Sequence, residues 1–449
     1  MVEVQLRPWE LLREEAGAPV PRVFEAQERL FGEAEPRFRL WHDAAGWCPF
    51  CEQVWLVVEE MRVPYVMKTV PLSAYLKPGE SKPAEYLQLC PDGLVPAIQL
   101  AQLNGAFGPA LESGRQPGLG AGYEICLDLM HHFPHAFPLP RTPQRRRYAE
   151  ALLKASADLE GVAYPVMNGK PEASDPYVAY MDEMEEALGG VSIKGKAPGR
   201  FALDKWGPDD GDGNCEHFGG DVRDGPFLFG KRPCAADLLM LPMLERLDAY
   251  LPESSPMSLA RWPAVFKMLT AARIPGLCAF DEIGCDSATL QNIRTRQRHL
   301  SPPAVQASIE SLAQEAAAMD ATVCQDAAAR LARRHEAIAG FAVKGAGAGR
   351  ECPVAVGNEG AIAATDAALQ LVVQCLLQHS QLPKDDAGLV TMVSGLAATM
   401  QSATIPAANR AEVVAALHFL ANNTGVPRDM AASTAKAFRA YLRLVAYVL

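Results

Sequence analysis

Apolar and polar positions alternate through Phe38–His42, which predicts a short strand. Beyond a turn at Ala44–Gly46, the positions Val54, Leu56, Val57, Val58 and Met61 line the apolar face of a helix. Extended patterning returns at Pro64–Val70, with Pro71 closing it, and Val95–Leu100 reads as a third strand after a turn at Pro91–Gly93. Pro83–Leu89 is expected to form a short helix between them. Strand, helix, strand, helix and strand in this order open a small α/β domain. From about Ile125 the strand signals fade. Arg141–Leu188 carries long helical patterning, for example at Tyr148, Leu152, Leu153 and Leu159. Gly189–Asp224 is full of Gly, Asp, Lys and Pro with few apolar positions, and a loop of that length reads as an exposed insertion. Residues 286–449 are rich in alanine, broken at Pro302-Pro303 and Gly345–Gly349, and Val413–Leu420 and Phe438–Leu449 are spaced as packed helices.

Composition narrows the class. At 449 residues the chain exceeds the roughly 250–300 at which one core stops growing, so two or three domains are expected. Hydrophobic residues at 49% and charged residues at 21% are ordinary globular usage, against a disordered or fibrous chain. A net charge of −11 supplies no basic surface for nucleic acid, and the acidity lies upstream of residue 286. The longest apolar runs, Leu369–Leu377 and Val413–Ala421, are about half of what a bilayer needs, so a soluble protein without a membrane partner is expected. Met1–Gly17 alternates charge with Leu and Trp, unlike a secretory signal, and Glu3, Glu10, Glu14 and Glu15 are too acidic for a transit peptide. The expectation is a cytoplasmic protein, or a plastid one already trimmed. Eleven cysteines spread over the chain are no disulfide framework; Cys48 and Cys51 alone stand close together.

That pair carries the chemistry. Trp47-Cys48-Pro49-Phe50-Cys51 follows a strand and opens a helix. There, backbone N–H groups without helical partners and the helix dipole favour a thiolate. Pro49 suits the first turn, where its missing N–H has no helical partner to lose. A zinc half-site or two ordinary buried cysteines are the alternatives, but no second Cys pair or close His pair stands at ligand spacing.

With Gly93-Leu94-Val95-Pro96-Ala97-Ile98 downstream, the pair resembles the N-terminal domain of cytosolic glutathione transferases, most of all the cysteine-type, omega-like and glutaredoxin-like branches. The resemblance covers about residues 37–280. It implies a thioredoxin-like α/β domain over 37–135, an all-α transferase domain over 140–285 and an α-helical extension over 286–449, after an N-terminal extension of residues 1–36. It implies that Val95-Pro96 is cis and that Val95 pairs with the cysteinyl backbone of glutathione. Phe50 would line the same site, and Lys82 would meet the glycine carboxylate. The family's Glu-Ser pair would be Glu112-Ser113, separated from Tyr123-Glu124-Ile125 by the apparent insertion 114–122. Pro233–Asp237 resembles the capping box of the family's helical domain, with Cys234 where Ser or Thr is usual. Ala327–Gly347 and Thr424–Met430 resemble plant, algal and cyanobacterial members with an extended helical C-terminus. The dimer contact of the family lies near Arg145-Arg146-Arg147, so a homodimer is among the expectations.

The implied activity is glutathione-dependent thiol transfer, deglutathionylation or dehydroascorbate reduction. Cys48 is the nucleophile and Cys51 the resolving thiol, glutathione is the co-substrate, and the second substrate is an electrophilic or disulfide small molecule. One alternative is a non-enzymatic redox-sensing or interaction protein that retains the fold; another is a dithiol oxidoreductase of glutaredoxin type. No metal is expected. Asp209–Asn214 lacks the glycine of a calcium loop, since Cys215 takes its place. His131, His132 and His135 suit a helix C-terminus and are broken by Pro134. Gly118–Gly122 lacks the strand and spacing of a dinucleotide loop. Arg330, Arg333, Arg334 and His335 read as a solvated helix face.

Overall fold

The computed structural model describes residues 6–73, 76, 79–102, 105–110, 121–139, 143–189, 201, 225–297, 309–348, 358–379 and 405–449. The chain forms two compact units, Arg22–Gln291 and a second that joins Met1–Pro21 to Asn292–Leu449. The N-terminal extension is therefore divided between them.

The unit Arg22–Gln291 begins with a mixed five-stranded sheet of order β1-β3-β2-β4-β5. Its strands are β1 (Glu28–Arg29), β2 (Phe38–Asp43), β3 (Tyr65–Val70), β4 (Ala97–Ala101) and β5 (Phe107–Ala110). β2 and β3 run parallel in the register Phe38↔Tyr65 to Asp43↔Val70, joined through α2 (Pro49–Met61). β4 runs antiparallel to β2, from Phe38↔Leu100 to Trp41↔Ala97, and β5 antiparallel to β4. The predicted helix between β3 and β4 is α3 (Ala84–Leu89). This is the expected thioredoxin-like domain. The two outer strands were not among the expectations: β1 is two residues long, and β5 (Phe-Gly-Pro-Ala) has turn-like composition. An edge strand tolerates such a proline because its outer N–H side needs no ladder partner.

The expected helical domain follows in the same unit. Over 140–285 it comprises α5 (Pro143–Met167), α6 (Ser174–Gly189), α7 (Ala235–Tyr250), α8 (Pro263–Ala272) and α9 (Phe280–Ile283). α4 (Ala121–His132) precedes it within the span expected for the thioredoxin-like domain, and α10 (Ser287–Gln297), which starts in the expected extension, continues past Gln291. α7 is buried along nearly its whole length. Its start is secured by Asp237, whose carboxylate accepts from the Cys234 N–H at 2.8 Å and from the Leu228 N–H at 3.0 Å. Burial pushes the Asp237 carboxyl up to about 6. Glu185 on α6 does the same service for α8, accepting from the Ala264 and Val265 N–H groups at 2.9 and 3.0 Å. Most of the apparent insertions 114–122 and 189–224 lies outside the described residues. Two residues of the second are described, Gly189 at the end of α6 and Phe201, which is buried edge-on against Tyr180, 5.4 Å between centroids, so that segment is not wholly exposed.

The other unit contains helices and no strand among its described residues. It contains α1 (Trp9–Ala16), α11 (Ile309–Ala317), α12 (Ala321–Ala348), α13 (Glu359–Leu377), α14 (Arg410–Asn423) and α15 (Ala432–Val448). α12 is kinked at Arg334, where φ is −131° and ψ 21°. α1 lays Trp9, Leu12 and Ala16, the i, i+3 and i+7 positions, into the shared core. Trp9 stacks on His335 with centroids 3.9 Å apart and donates its indole N–H to Asp366 at 2.9 Å. His335 also meets Asp366 at 2.6 Å and Arg13 at 2.9 Å. His335 is thus buried and Arg330 is half-buried, paired with Asp326 at 2.9 Å, whereas the sequence places both with Arg333 and Arg334 on a solvated face; of the four, Arg333 and Arg334 alone are exposed. α13 is 19 residues long with mean hydropathy 1.6, enough in length and composition to cross a membrane and longer than the apolar run read from the sequence. Here 61% of its apolar window is buried, and it packs with α12, α14 and α15.

Candidate thiol site

The site forms where the parallel strands end. Asp43 is the last residue of β2, and a turn through Gly46 carries the chain to Cys48, which caps α2 with Pro49 in its first turn. The Asp43 carboxylate organises that turn: Oδ1 accepts from the Ala45 N–H at 3.1 Å, and Oδ2 from those of Trp47 at 2.6 Å and Cys48 at 3.2 Å. An Asx-type turn at the end of a strand is a recognisable motif, but nothing in the sequence said that this Asp would grip the nucleophile's own amide. The Asp43 N–H in turn donates to Cys51 Sγ at 3.3 Å. Burial raises the Asp43 carboxyl above its ordinary range, against the three N–H bonds and the Lys82 charge, which lower it.

Cys48, Cys51 and Val95 come together, with Trp41, Val70, Tyr86, Cys90 and Ala97, in one small apolar cluster, and Phe50 packs against it. Cys48 Sγ lies 3.9 Å from the Val95 carbonyl oxygen. The Val95–Pro96 peptide is cis, as the resemblance implied, and both residues precede the β4 ladder. The hydrogen bond from the Cys51 side chain holds the Cys48 thiol below its ordinary range, despite burial. Backbone N–H groups of Cys51 and Phe50 act in the same direction, and the Asp43 charge opposes them. Cys51 is pushed well above its ordinary range, first by burial and then by Cys48. The two shifts run in opposite directions, so of the pair Cys48 gives up its proton the more readily and Cys51 is the donor beside it.

Lys82 is buried and donates to the Gly93 carbonyl at 2.5 Å. The Tyr86 hydroxyl donates to the Leu94 carbonyl. Both side chains therefore brace the turn that delivers Val95. Gly93 has φ +66° there, and an added Cβ would already touch Leu87 and Lys82 at 3.4 and 3.5 Å. Glu112 and Ser113 lie outside the described residues. Phe50 stacks with Tyr164 of α5 at 6.4 Å, which brings the helical domain to the rim of the site. Burial raises the Tyr164 phenol.

Residues of the helical domain that no local motif marked also reach this region. Gln53 donates to Glu160 at 2.8 Å and to the Leu239 carbonyl at 2.9 Å, tying α2 to α5 and α7. Arg246 of α7 donates to the Trp47 carbonyl at 2.9 Å and to Glu52 at 3.0 Å. Among the described residues, Glu52, Glu245 and Cys285 bring one metal-ligating atom each within 4.8 Å of one another. Their carboxylates already face cations: Arg246 meets Glu52, and Arg273 meets Glu245 at 2.8 Å. Burial raises both carboxyls, and the Arg246 and Arg273 charges act against that shift; the cluster is a buried network of two acids and two bases. His131, His132 and His135 are exposed at and beyond the end of α4.

Residues 47–112 match a family model described as glutathione S-transferase, N-terminal domain. This segment is similar in sequence to glutathione S-transferase N-terminal domains. The matched span takes in Cys48, Phe50, Cys51, Lys82, Val95, Pro96 and Glu112, while Ser113 falls one residue beyond it. Over 54 residues the chain is 44% identical to "Glutathione S-transferase DHAR3, chloroplastic" of Arabidopsis thaliana, which is 12% of this chain and 18% of that protein. The chain thus spans less than a fifth of the length of the curated relative it matches. Among solved structures, dehydroascorbate reductase of Chlamydomonas reinhardtii overlaps 60% of this chain and 100% of its own, at 16% identity and a TM-score of 0.39. A trimeric glutathione transferase of Leishmania, TDR1, overlaps 59% and 48%, at 18% identity and a TM-score of 0.41. The transferase URE2P6 of Phanerochaete chrysosporium, solved with oxidised glutathione, overlaps 58% and 97%, at 19% identity and a TM-score of 0.34. The helices of the unit completed by Asn292–Leu449 lie outside the matched span.

Proposed function

We propose that this chain is a glutathione-dependent thiol oxidoreductase of cysteine type, acting on glutathione mixed disulfides or a similarly small oxidised substrate. The observation that carries the reading is Cys48 itself. Its sulfur stands at the N-terminus of α2, 3.9 Å from the backbone carbonyl beside the cis Val95–Pro96 bond, with its thiol lowered by Cys51. A thiolate so placed attacks the glutathione sulfur of a mixed disulfide. The Cys48–glutathione S–S bond forms as the substrate S–S bond breaks, and the substrate leaves as a thiolate that takes a proton. A second glutathione thiolate then attacks the adduct, releasing oxidised glutathione and restoring the Cys48 thiolate. Cys51 supports the first step by donating its S–H to the Cys48 thiolate. As a resolving thiol it would have to give up a proton that burial holds tightly. Glutathione would lie along the Val95 edge, and Phe50 and Tyr164 would face the second substrate.

Intact-mass spectrometry after incubation with oxidised glutathione tests this, comparing wild type, Cys48→Ser and Cys51→Ser. The expected result is one added glutathione in the wild type and in Cys51→Ser and none in Cys48→Ser. No adduct in any of the three would overturn the reading.

A further inference from the structure

Within the buried ion network, one residue is placed to act on the thiol through the backbone. Trp47 directly precedes Cys48, and Glu52 directly follows Cys51. Arg246 reaches both: Nη2 donates to the Trp47 carbonyl at 2.9 Å and Nη1 to Glu52 Oε2 at 3.0 Å. One guanidinium, carried by the helical domain, therefore brackets the whole Cys-Pro-Phe-Cys motif. The peptide joining Trp47 to Cys48 is held at both polar ends, its carbonyl by Arg246 and its N–H by Asp43 at 3.2 Å. A planar peptide fixed at two ends has no freedom to rock, and the Cα–Cβ bond of Cys48 is aimed with it. Arg246 is itself immobilised. Nη1 also donates to the Pro242 carbonyl at 2.6 Å, and Glu245 and Arg273 complete a set of two acids and two bases. The Cys285 thiol adds a contact to the Gly46 carbonyl at 3.6 Å, one residue upstream of Trp47.

We propose that Arg246 is a positioning residue for Cys48, holding the Trp47–Cys48 peptide so that the sulfur is aimed at the Val95 edge. The proposal rests on Cys48 being the reacting thiol. It makes thiol reactivity depend on the helical domain, which supplies α7, rather than on the thioredoxin-like domain alone. A planar fork of N–H donors can serve a carbonyl and a carboxylate together; a lysine ammonium on a flexible stem cannot reproduce that geometry.

The test uses the full chain and needs no glutathione. Iodoacetamide alkylation of Cys48 is followed by peptide mass against pH, in the wild type and in Arg246→Lys, with circular dichroism as the check on folding. In a folded Arg246→Lys the midpoint of the alkylation profile should rise by about one pH unit, which below the midpoint is a tenfold slower reaction. A folded Arg246→Lys with an unmoved midpoint would overturn the proposal. If Arg246→Lys does not fold, the charge-balanced pair Glu52→Gln with Arg246→Met carries the same measurement and the same expectation. Failure of both to fold would also overturn it, since the network would then be structural alone. A wild type that takes up no glutathione, with the midpoint still shifted in Arg246→Lys, would sink the glutathione reading and leave this one standing.

Discussion

Glu160 offers a sharp test of how burial acts on the helices behind the thiol. Its carboxylate accepts from Gln53 Nε2 at 2.8 Å and is 7% exposed. No guanidinium or ammonium is among the groups that set its titration. Burial raises it from 4.5 to about 7, and the Gln53 bond recovers only part of the shift. A carboxyl raised in the folded state binds its proton more readily there than in the unfolded chain. Its contribution to stability is therefore full below pH 4.5 and is lost as pH rises towards 7. At about 1.4 kcal/mol per pH unit, that window makes the ionised form cost about 3 kcal/mol at pH 8. Glu160→Gln keeps an oxygen acceptor for Gln53 and never ionises. The variant should match the wild type near pH 4.5 and exceed it by about 2–3 kcal/mol at pH 8. Urea unfolding at several pH values measures the gap between the two. Other buried carboxyls tilt both curves, but only Glu160 separates them. Parallel curves across pH 4.5–8 would refute the reasoning.

Three further outcomes follow from the same contacts. Cys51→Ala removes the hydrogen bond that most lowers the Cys48 thiol, so the alkylation midpoint of Cys48 should move up towards the ordinary cysteine range. Asp43→Ala leaves the N–H groups of Ala45, Trp47 and Cys48 without their carboxylate, and urea unfolding should show a loss of about 2–4 kcal/mol. Trp9→Ala removes the stack on His335 and the bond to Asp366, and should cost the unit that contains it about 3–5 kcal/mol, read as a lower midpoint in thermal unfolding.

Elements with a strong period and clear breaks were legible in the sequence. β2, α2, β3 and β4 each lie within about two residues of the expected bounds, because the apolar positions repeat at 2 or 3.6 and Gly or Pro stands between them. β5 was not legible, since Gly108 and Pro109 read as a turn until an edge position makes them tolerable. The apolar run Leu369–Leu377 stops short of α13 because Thr365 and Asp366 precede it, yet Thr365 is buried in the packed helix. The site divides in the same way. Cys48, Cys51 and the Val95–Pro96 pair announce themselves by type and spacing. Arg246, Glu160 and Gln53 do not, because what they do depends on partners 107 to 199 residues away, and a helix surface in sequence carries no mark of what will face it.

The course of the chain also bears on the order of assembly. α1 belongs with helices that begin 300 residues later, while the whole unit Arg22–Gln291 lies between the two parts. A ribosome delivers the intervening unit complete, with all its strands and helices, before most of α1's partners have been made. The thiol-bearing unit can therefore close around Cys48 during synthesis, whereas Trp9, Leu12 and Ala16 must wait in water until α12 and α13 emerge. An apolar face made before the intervening unit is thus covered only after that unit is complete. The interval during which it needs protection is set by the length of the insert rather than by any property of α1 itself.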